Sequence, residues 1–555
     1  MLTQDVRQSK PSVRVNGAAH ESPTPAVACT SIAVIIVTWN RKVSVAAVLR
    51  AIAAQTYPGD RLDIIVVDNA SSDGTLEHLR AEFDPDLVVP NLATAAHEPE
   101  FRIPTPNGHH HRNRLGVRSL TVIRNEHNFG GCGGFNTGFS FIDLVLDASS
   151  RSNRPDAVWL VDDDVDLPVD ALGRLVQTLD HDPRVGVVGS RAVDYHNRDN
   201  TIETTIYFDF ARGRMSETPI ASHRLRAGHD AWVGEVGGTR GTRVFSGVRE
   251  VDVVSACSLL ARWSAVRKVG FWDYRYFIYC DDADWCLRFA RAGYKVVCNL
   301  DAVVYHTPWF HKLTPARLYY SQRNIVWVMQ KVFPRLRLKY ATLRWLASIQ
   351  YDCLLASMHR RIFHAEIIRR TAADIVANRG GKLDNEGPPK RPVIDALREA
   401  GALRPGACIV TLCRHPDSIR WAAELRRLAG EHGATDVRWV DVVRHDVPGA
   451  HDPANEPSVE RIVYAPRFLS RLRRQMPLLR GRPDAVIVFD QTNDMPLFKG
   501  RHNIHIDRKW PEVAQVERDG VGPRAAFLAR WLATTVRCVV YAMRVRPYVS
   551  PNRFG

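Results

Sequence analysis

The sequence predicts an α/β protein: a mostly parallel open sheet flanked by helices, then a helical segment and a second, smaller α/β domain. Short, continuously apolar and β-branched runs, first at residues 32–37 and then at 62–67, are typical of strands that are buried on both faces. Segments of helical character separate these runs. Because strands that alternate with helices need crossover connections, we expect their sheet to be mostly parallel.

The local pattern assigns each element in turn. In the first domain, strands are predicted at residues 32–37, 62–67, 121–123 and 157–161, and helices at 44–56 and 74–83. An inserted loop is predicted at 84–118, and a polar, Gly-rich excursion at 191–250, before 251–260 return to the core. In the second domain, strands are predicted at 407–412, 437–443 and 484–489, and helices at 418–428 and 459–473.

These elements divide the chain into five segments. They are a disordered tail at 1–30, a large α/β domain at 31–330, a basic helical segment at 331–390, a small α/β domain at 391–520, and a C-terminal helix with its tail at 521–555.

The composition excludes several classes of protein. With 555 residues, 45% apolar and 24% charged, the chain is neither mainly disordered nor collagenous, and its ten Cys include no CxxC pair. The formal net charge of +15 favours anionic partners such as nucleotides or a membrane surface, and no recognised nucleic-acid-binding module accompanies it. The first 30 residues lack the apolar segment of a secretory signal, so we expect a cytoplasmic protein with free thiols.

Residues 524–546 predict a basic amphipathic helix, with five Arg and no acidic residue. Arg530, Arg537 and Arg544 fall on one side of it. The apolar residues Phe527, Leu528, Leu532, Val536, Val539 and Met543 fall on the other. Two interpretations stay open: the helix lies on an anionic membrane surface, or it packs on its own domain with Arg facing water. No stretch reaches the roughly 18 consecutive apolar residues of a spanning helix, so we expect no membrane crossing.

Polar residues stand where the first two predicted strands end, which is where open parallel sheets bind ligands. The first strand runs into Thr38, Asn40 and Arg41, and the second into Asp68. A carboxylate at such a strand end can accept hydrogen bonds from a ribose or a base. The alternative is that Asp68 only caps a turn, which the Asp-Gly pair further on completes.

A Gly-rich segment that starts at Asn128 follows the third predicted strand. It departs from the dinucleotide-binding pattern, because Gly131 and Gly133 are followed by Asn136 where the third glycine is needed. A dehydrogenase is therefore disfavoured. The five glycines of residues 128–138 still predict a close approach of the backbone to a ligand, with amides able to face phosphate oxygens.

The clearest signal is the acidic run after the fourth predicted strand. Asp162 and Asp164 lie on the same face of an extended chain, with Asp163 between them. Two such like charges repel unless a cation lies between them, and hard divalent cations bind carboxylate oxygens together with diphosphate oxygens. The alternative is an exposed acidic turn, which the apolar strand before it disfavours.

A second acidic pair opens a predicted helix after an aromatic run. Asp281 would lie near the helix N-terminus, where negative charge is favoured, and Asp282 is the candidate general base. The alternative, capping by Asp281 with Asp284 facing solvent, explains only one of these carboxylates. His306 follows a later strand, and its imidazole would add a third protein ligand for an ion such as Mn²⁺.

The order of these motifs resembles glycosyltransferase family 2 over residues 31–330. The triple Asp at 162–164 and the segment 280–284 are most similar to bacterial cell-wall galactofuranosyltransferases, and residues 319–324 occur in similar form in rhamnosyltransferases as well. The resemblance implies a GT-A fold and an inverting, metal-dependent enzyme. It would transfer galactofuranose from UDP-galactofuranose, or alternatively rhamnose from dTDP-rhamnose, to a cell-envelope glycan or lipid-linked acceptor.

The resemblance also implies residue roles. Asp162, Asp164 and His306 would hold Mn²⁺ or Mg²⁺ on the donor diphosphate, and Asp282, beside Asp281, would deprotonate the acceptor hydroxyl. Donor binding is expected from Thr38, Asn40, Arg41, Asp68, Asn128, Gly131, Asn136, Asp163 and Arg323. Acceptor binding is expected from Asp284, Trp285 and Trp309.

Two other functions stay open at this point. A sugar nucleotidyltransferase also binds nucleotides on an α/β sheet, but its Gly-rich Lys/Arg signature does not follow the first predicted strand. A catalytically silent nucleotide-sugar-binding scaffold is the non-enzymatic alternative, and the intact acidic residues disfavour it for the first domain. For the enzyme, we expect a cytoplasmic location, with the inner face of the cell membrane as a site of peripheral association.

Overall fold

Two large β-sheets and the helices around them dominate the described part of the chain. The computed structural model describes residues 31–104, 113–147, 154–237, 245–308, 315–358, 361–384, 391–451, 459–464, 482–489, 500–506, 512–513, 515–518 and 521–548. The predicted fold class is confirmed, because a large, mostly parallel sheet is followed by helices and by a second, smaller sheet.

The first thirteen strands lie N-terminal to residue 310. They are β1 (Ile32–Thr38), β2 (Leu62–Asp68), β3 (Leu87–Asn91), β4 (Ser119–Asn125), β5 (Ala157–Asp162), β6 (Val165–Asp166), β7 (Val185–Asp194), β8 (Thr201–Glu203), β9 (Tyr207–Asp209), β10 (Arg214–Ser216), β11 (Val248–Val251), β12 (Ser258–Arg262) and β13 (Lys295–His306). Eleven of them form one sheet in the order β11-β13-β7-β12-β5-β1-β2-β4-β3, with β6 on β13 and β8 on β7. Strands β9 and β10 pair separately.

Thirteen α-helices surround the sheets in the described residues. They are α1 (Lys42–Ala53), α2 (Thr75–Phe83), α3 (Gly130–Phe141), α4 (Ala171–His181), α5 (Arg226–Gly237), α6 (Trp263–Val269), α7 (Asp281–Arg291), α8 (Pro315–Val332), α9 (Arg335–Met358), α10 (Ile362–Val376), α11 (Val393–Glu399), α12 (Pro416–Glu431) and α13 (Val521–Arg544).

Strand β1 lies at the centre of the large sheet and runs parallel to both neighbours, β2 and β5. Its residues are buried on both faces: Ile35 packs into the apolar layer on the α3 side, and Ile36 into the layer on the α1 side. The register places Thr38 opposite Asp68 and Val37 opposite Asp162. The ends of three strands therefore meet at one edge of the sheet.

The structure corrects three predicted elements. Residues 84–118 are not only a loop, because β3 lies within them and pairs parallel with β4 at the edge of the sheet. The excursion at 191–250 contains β8 to β11 and α5. The helix predicted at 459–473 begins as a strand, β17 (Val459–Tyr464), which pairs parallel with β16 (Val437–Arg444). Its β-branched residues gain a partner strand that local pattern does not reveal.

The second sheet contains six strands in the order β17-β16-β15-β18-β19-β21. The members not yet given are β15 (Ala407–Cys413), β18 (Ala485–Val488), β19 (His502–His505) and β21 (Gln515–Arg518), while β14 (Arg391–Pro392) and β20 (Glu512–Val513) pair with each other. All neighbours run parallel except β19 and β21. This sheet has its own apolar core, formed with α11 and α12.

Helices α8, α9, α10 and α13 pack together as one group. The first three follow the large sheet in the sequence, and α13 lies near the end of the chain. By length and composition alone, one described helix, Arg524–Arg544, is apolar enough to cross a membrane, and 22% of the corresponding window is buried within the protein. The expectation of no spanning segment therefore stays a prediction.

Candidate active site

Three predicted metal ligands meet at one edge of the large sheet. Strand β6 pairs with the end of β13 so that Val165 lies opposite His306, which brings His306 beside the acidic run. The Nε2 atom of His306 lies 3.3 Å from Asp164 Oδ1 and 3.7 Å from Asp162 Oδ2. One donor atom from each of the three residues lies within 4.8 Å of the others. The predicted convergence is present in the structure.

This donor set fits a divalent cation. Two carboxylates and one imidazole suit Mn²⁺, and Mg²⁺ accepts the oxygen ligands. All three side chains are only partly buried, so a further ligand from solvent or substrate has access. An open coordination position distinguishes a site that acts on a substrate from a closed structural site.

Asp163, between the two acidic ligands in sequence, joins the ends of β1 and β5. Its carboxylate accepts a hydrogen bond of 2.7 Å from the hydroxyl of Thr38 and one of 2.9 Å from Arg41. Arg41 also lies 2.7 Å from Asp164 Oδ2. Burial raises the pKa of Asp163 to about 6, although the Arg41 charge opposes this. Thr38 and Asp163, both predicted donor-binding residues, are therefore engaged with each other, and Arg41 is the exposed member of the group.

The next two strand ends form turns that are joined by side chains. The side chain of Asn40 accepts a hydrogen bond of 2.7 Å from the backbone of Ser72. Asp68 is fully buried, where it accepts hydrogen bonds from Ser71 N–H at 2.9 Å and from Arg124. These contacts agree with the alternative interpretation, in which Asp68 caps a turn. Its proposed contact with a nucleoside stays a prediction that requires the turn to rearrange.

Asn69, which we did not single out from the sequence, links this turn to the Gly-rich segment. Its side chain donates to the carbonyl of Gly130 at 2.9 Å and to Asn128 at 3.2 Å, and accepts from Phe129 N–H at 3.1 Å. Asn128, predicted to bind donor, also accepts a hydrogen bond of 2.8 Å from Gly130 N–H at the start of α3. An Asn directly after a strand-end Asp is the signal that could have identified Asn69.

Two of the five glycines in α3 serve the packing of the helix, and the predicted approach of the segment to a phosphate stays a prediction. Residues 130–141 are helical, and a Cβ atom on Gly138 would lie 2.6 Å from Ile35 Cγ2. A Cβ on Gly134 would collide with Val37. Both glycines therefore let α3 approach β1 closely. Gly131 alone among the five faces open space, so its predicted donor contact is sterically allowed.

Asp281 and Asp282 open α7, as predicted. The Asp282 carboxylate accepts a hydrogen bond of 2.7 Å from Ala283 N–H and another from the backbone of Ala256. Burial raises the pKa of Asp282, and the nearby charge of Asp162 raises it further, while these hydrogen bonds oppose both effects. Burial and the Asp282 charge also raise the pKa of Asp281. A buried carboxylate, Asp281, and a partly buried one, Asp282, thus lie within electrostatic reach of the metal ligand Asp162.

The loop before α7 has a strained backbone that side-chain hydrogen bonds hold in place. Phe277, Tyr279 and Cys280 have φ values of 66°, 68° and 65°, a region that side chains rarely adopt. Asn324 donates to the carbonyls of Ile278 and Tyr279, both at 2.8 Å. Such over-determination by hydrogen bonds is what keeps strained backbone in place.

Arg323, the neighbour of Asn324, was predicted to bind donor, and the structure places it elsewhere. It is fully buried and donates to the carbonyls of Arg275, Tyr276 and Gly381 at 3.2, 3.1 and 3.0 Å. A guanidinium whose donors are spent on backbone carbonyls cannot also neutralise a leaving diphosphate. Arg323 is therefore a positioning residue for the loop.

Three further predicted contacts are corrected because the side chains are buried in the core. Asp284 lies 3.0 Å from Lys331 Nζ and 3.0 Å from Arg288 Nε, within an ion network. Trp285 donates to the carbonyl of Gly270 at 2.8 Å, inside an aromatic cluster. Asn136 exchanges hydrogen bonds of 2.9 and 3.0 Å with the backbone of Trp272. The predicted acceptor residue Trp309 lies outside the described residues.

Glu203, at the end of β8, is a site residue that sequence reasoning missed. Burial raises its pKa to about 7, and the charge of Asp282 contributes, while a hydrogen bond with Ser255 and the charge of His306 oppose the shift. Glu203 therefore lies within electrostatic reach of both the candidate base and the metal-ligand set. No motif marks it, because it stands alone in the polar excursion.

Two family models match this region of the chain. Residues 33–90 match the model described as "Glycosyl transferase family 2", and residues 112–329 match "Glycosyltransferase like family 2". Both matched segments lie within residues 31–330, and they support the family that the motif order predicted. The galactofuranosyl or rhamnosyl subtype stays a prediction. No curated protein sequence matches the chain.

Several solved glycosyltransferase structures are similar to the chain. GalNAc-T7 with UDP, GalNAc and Mn²⁺ is 13% identical with a TM-score of 0.34; the match covers 54% of this chain and 47% of that one, about half its length. The mannosyltransferase PcManGT from Pyrobaculum calidifontis, in complex with GDP-Man and Mn²⁺, is 16% identical, with coverages of 63% and 88% and a TM-score of 0.33. S. aureus TarS 1-349 with UDP-GlcNAc is 12% identical, with coverages of 62% and 80% and a TM-score of 0.37.

Proposed function

We propose that the chain is a metal-dependent, inverting glycosyltransferase that moves a sugar from a nucleotide sugar to an acceptor hydroxyl. One observation carries the proposal: the raised-pKa carboxylate of Asp282 stands beside the convergent Asp162, Asp164 and His306. A cation site and a carboxylate base are the two parts that a single displacement at a sugar carbon requires. The family 2 matches support the same class of reaction.

The chain's residues divide the work between the two reacting groups. Asp162, Asp164 and His306 would hold Mn²⁺ or Mg²⁺, which supplies positive charge to the leaving nucleoside diphosphate when it is bound. Asp282 accepts the proton of the acceptor hydroxyl, whose oxygen forms the new bond to the sugar as the bond to the diphosphate breaks. Because this is one displacement, the anomeric configuration inverts. Arg41, held by Asp163 and Asp164, orients the acidic turn.

For the donor we propose galactofuranose from UDP-galactofuranose, on the similarity of residues 162–164 and 280–284 to the galactofuranosyltransferases. Rhamnose from dTDP-rhamnose is the second candidate, because residues 319–324 are similar in both groups. A glycan or lipid-linked hydroxyl of the cell envelope is the proposed acceptor. The cytoplasmic location stays a prediction.

The test is a panel of nucleotide sugars with Mn²⁺, scored by nucleoside diphosphate release in the presence and absence of acceptor glycans. UDP-galactofuranose is placed beside dTDP-rhamnose and the common UDP-hexoses, and Asp282→Asn is the matched control for turnover. Release with UDP-galactofuranose that disappears in the variant supports the proposal. Binding of donors by the wild type without release from any of them would instead support the nucleotide-sugar-binding scaffold.

A further inference from the structure

Helix α13 shows three faces around its axis. One is buried against the protein through Phe527, Cys538 and Ala542. The second carries arginines. The third is apolar but exposed within the described part of the chain, with Leu532 at 59% and Met543 at 60% exposure. The sequence left two alternatives open, a helix on an anionic membrane surface or a helix packed on its own domain with Arg facing water. The structure shows that the helix packs with one side, exposes its arginines, and leaves an apolar stripe uncovered by described residues.

Helix α9 carries a second exposed apolar stripe at helical spacing. Leu336, Tyr340 and Tyr351 are 82%, 65% and 61% exposed, and Leu343 and Met358 belong to the same row. These positions repeat at intervals of three, four and seven to eight residues, which is the period of one helix face. Scattered apolar side chains are normal on a protein surface, but two complete stripes on neighbouring helices are not.

The two stripes lie side by side. Gln350 of α9 accepts hydrogen bonds from Trp531 and from Thr535 of α13, both at 3.0 Å, whereas Gln330, before α9, donates to Tyr541 at 3.1 Å. The two helices are therefore antiparallel. Helix α10 packs on both of them from the side of their buried faces. Since Gln350 and Thr535 each border the exposed stripe of their own helix, the stripes form one continuous surface.

We propose that this surface, the exposed apolar stripes of α9 and α13 together, docks the protein on an anionic lipid bilayer without crossing it. Its borders are basic: α13 contains no acidic residue, and α9 contains only Asp352 against several Arg and Lys. Exposed Arg530, Arg537 and Arg544 line one border of the α13 stripe. Apolar side chains that enter the lipid interface beneath cations that meet its phosphates are the chemistry of an in-plane membrane helix.

The exposed tyrosines on α9 support the same partner. Tyr340 and Tyr351 stand in the apolar row, and Tyr is enriched where one end of the ring is in lipid and the other in the polar headgroup layer. A second copy of the chain fits less well. In a two-fold pairing of identical surfaces, the basic borders would face each other and repel.

A spanning α13 also fits less well. The window that is apolar enough to cross a membrane, Arg524–Arg544, includes Arg530 and Arg537 in its middle turns. Arginines near the centre of a spanning helix are costly unless they snorkel or pair. Crossing would also remove Phe527 and Cys538 from the protein core. An orientation in the plane of the membrane keeps both sets of contacts.

The test uses the full-length protein and co-flotation with vesicles, without any sugar nucleotide, so its outcome is independent of the proposed function. Vesicles of phosphatidylcholine mixed with phosphatidylglycerol are compared with vesicles of phosphatidylcholine alone. The α13 variant is Leu532→Ser with Met543→Ser, and the α9 variant is Leu336→Ser with Tyr340→Ser. Val169→Ser, at an exposed apolar position on another surface, is the matched control.

We expect the wild type and the control to float with the anionic vesicles, and added salt to weaken their binding. Each double variant should bind at least about tenfold more weakly than the wild type, because the side chains that enter the interface are lost. Melting curves identify any variant that fails to fold. If one double variant does not fold, the variant of the other helix tests the proposal. Equal flotation of the α9 variant and the wild type overturns the two-helix surface. The proposal is overturned if the wild type does not float with the vesicles. It is also overturned if only detergent releases the protein from them, as expected of a spanning helix. A wild type that forms a dimer instead of binding vesicles, with the dimer abolished in the variants, overturns it as well.

Discussion

Asp282→Asn replaces one carboxylate oxygen by an amide nitrogen and leaves the size of the side chain unchanged. The remaining oxygen can still accept the hydrogen bond of 2.7 Å from Ala283 N–H, so the start of α7 is kept. At most the second backbone hydrogen bond, from Ala256, is lost in the variant. A lost neutral hydrogen bond costs about 1 kcal/mol of stability, which a folded domain tolerates.

The effect on turnover should be much larger than the effect on folding. An amide cannot take the proton of the acceptor hydroxyl, and the removal of a positioned base typically lowers a rate by about 10² to 10⁴. This corresponds to roughly 2.7 to 5.5 kcal/mol in the activation free energy. Donor binding should change little, because the ligand set of Asp162, Asp164 and His306 is intact.

The assay is nucleoside diphosphate release with acceptor, beside calorimetric titration of the donor with Mn²⁺. Asp170→Asn, which alters a partly exposed carboxylate just before helix α4, is the control and should match the wild type. Turnover within a factor of about three of wild type in Asp282→Asn would refute its role as the base. A donor Kd that weakens in parallel with the rate would instead place Asp282 in donor binding.

Three other perturbations test separate parts of the structure. His306→Ala should raise the Mn²⁺ concentration needed for half-maximal activity by about tenfold or more, since one of three ligands is lost; an unchanged metal titration would contradict the site. Gly134→Ala should destabilise the domain by roughly 1 to 3 kcal/mol in urea unfolding, because its Cβ meets Val37, and Gly131→Ala is the control that should unfold like the wild type. Lys331→Met should cost about 1 to 3 kcal/mol, because the buried carboxylates Asp273 and Asp284 each lose one of two cationic partners and keep Arg275 and Arg288. Burial alone would raise the pKa of Asp273, but Arg275 and Lys331 lower it to about 2, so its contribution is present above pH ~4 and lost on acidification toward pH 2; an equally acid-resistant Lys331→Met would contradict this.

Much of the candidate site could be predicted from the sequence because its residues stand at strand ends. A buried strand followed by Asp162 and Asp164 defines both the place and the orientation of two carboxylates. The parallel pairing of β1 with β2 and β5 then brings the turns after all three strands to one edge. The part of the site that depends on local periodicity could therefore be predicted from the order of neighbouring residues.

Other features depended on contacts between distant segments. The glycines of α3 carry the same letters as a phosphate loop, and only the approach of α3 to β1 shows that two of them serve packing. The family resemblance implied ligand contacts for Arg323 and Asp284, whereas burial pairs them with carbonyls and with Lys331. Glu203 joins the site only because β8 folds back on β7.

The amino-acid sequence by itself determined the buried central strands, the identity of the acidic and imidazole donors, and the periodicity of the C-terminal helix, because each follows from neighbours along the chain. Tertiary structure alone decided which of the polar residues face the cleft and which face of α13 is covered. Burial and long-range pairing set those outcomes, and both arise from the packing of elements that are far apart in the sequence.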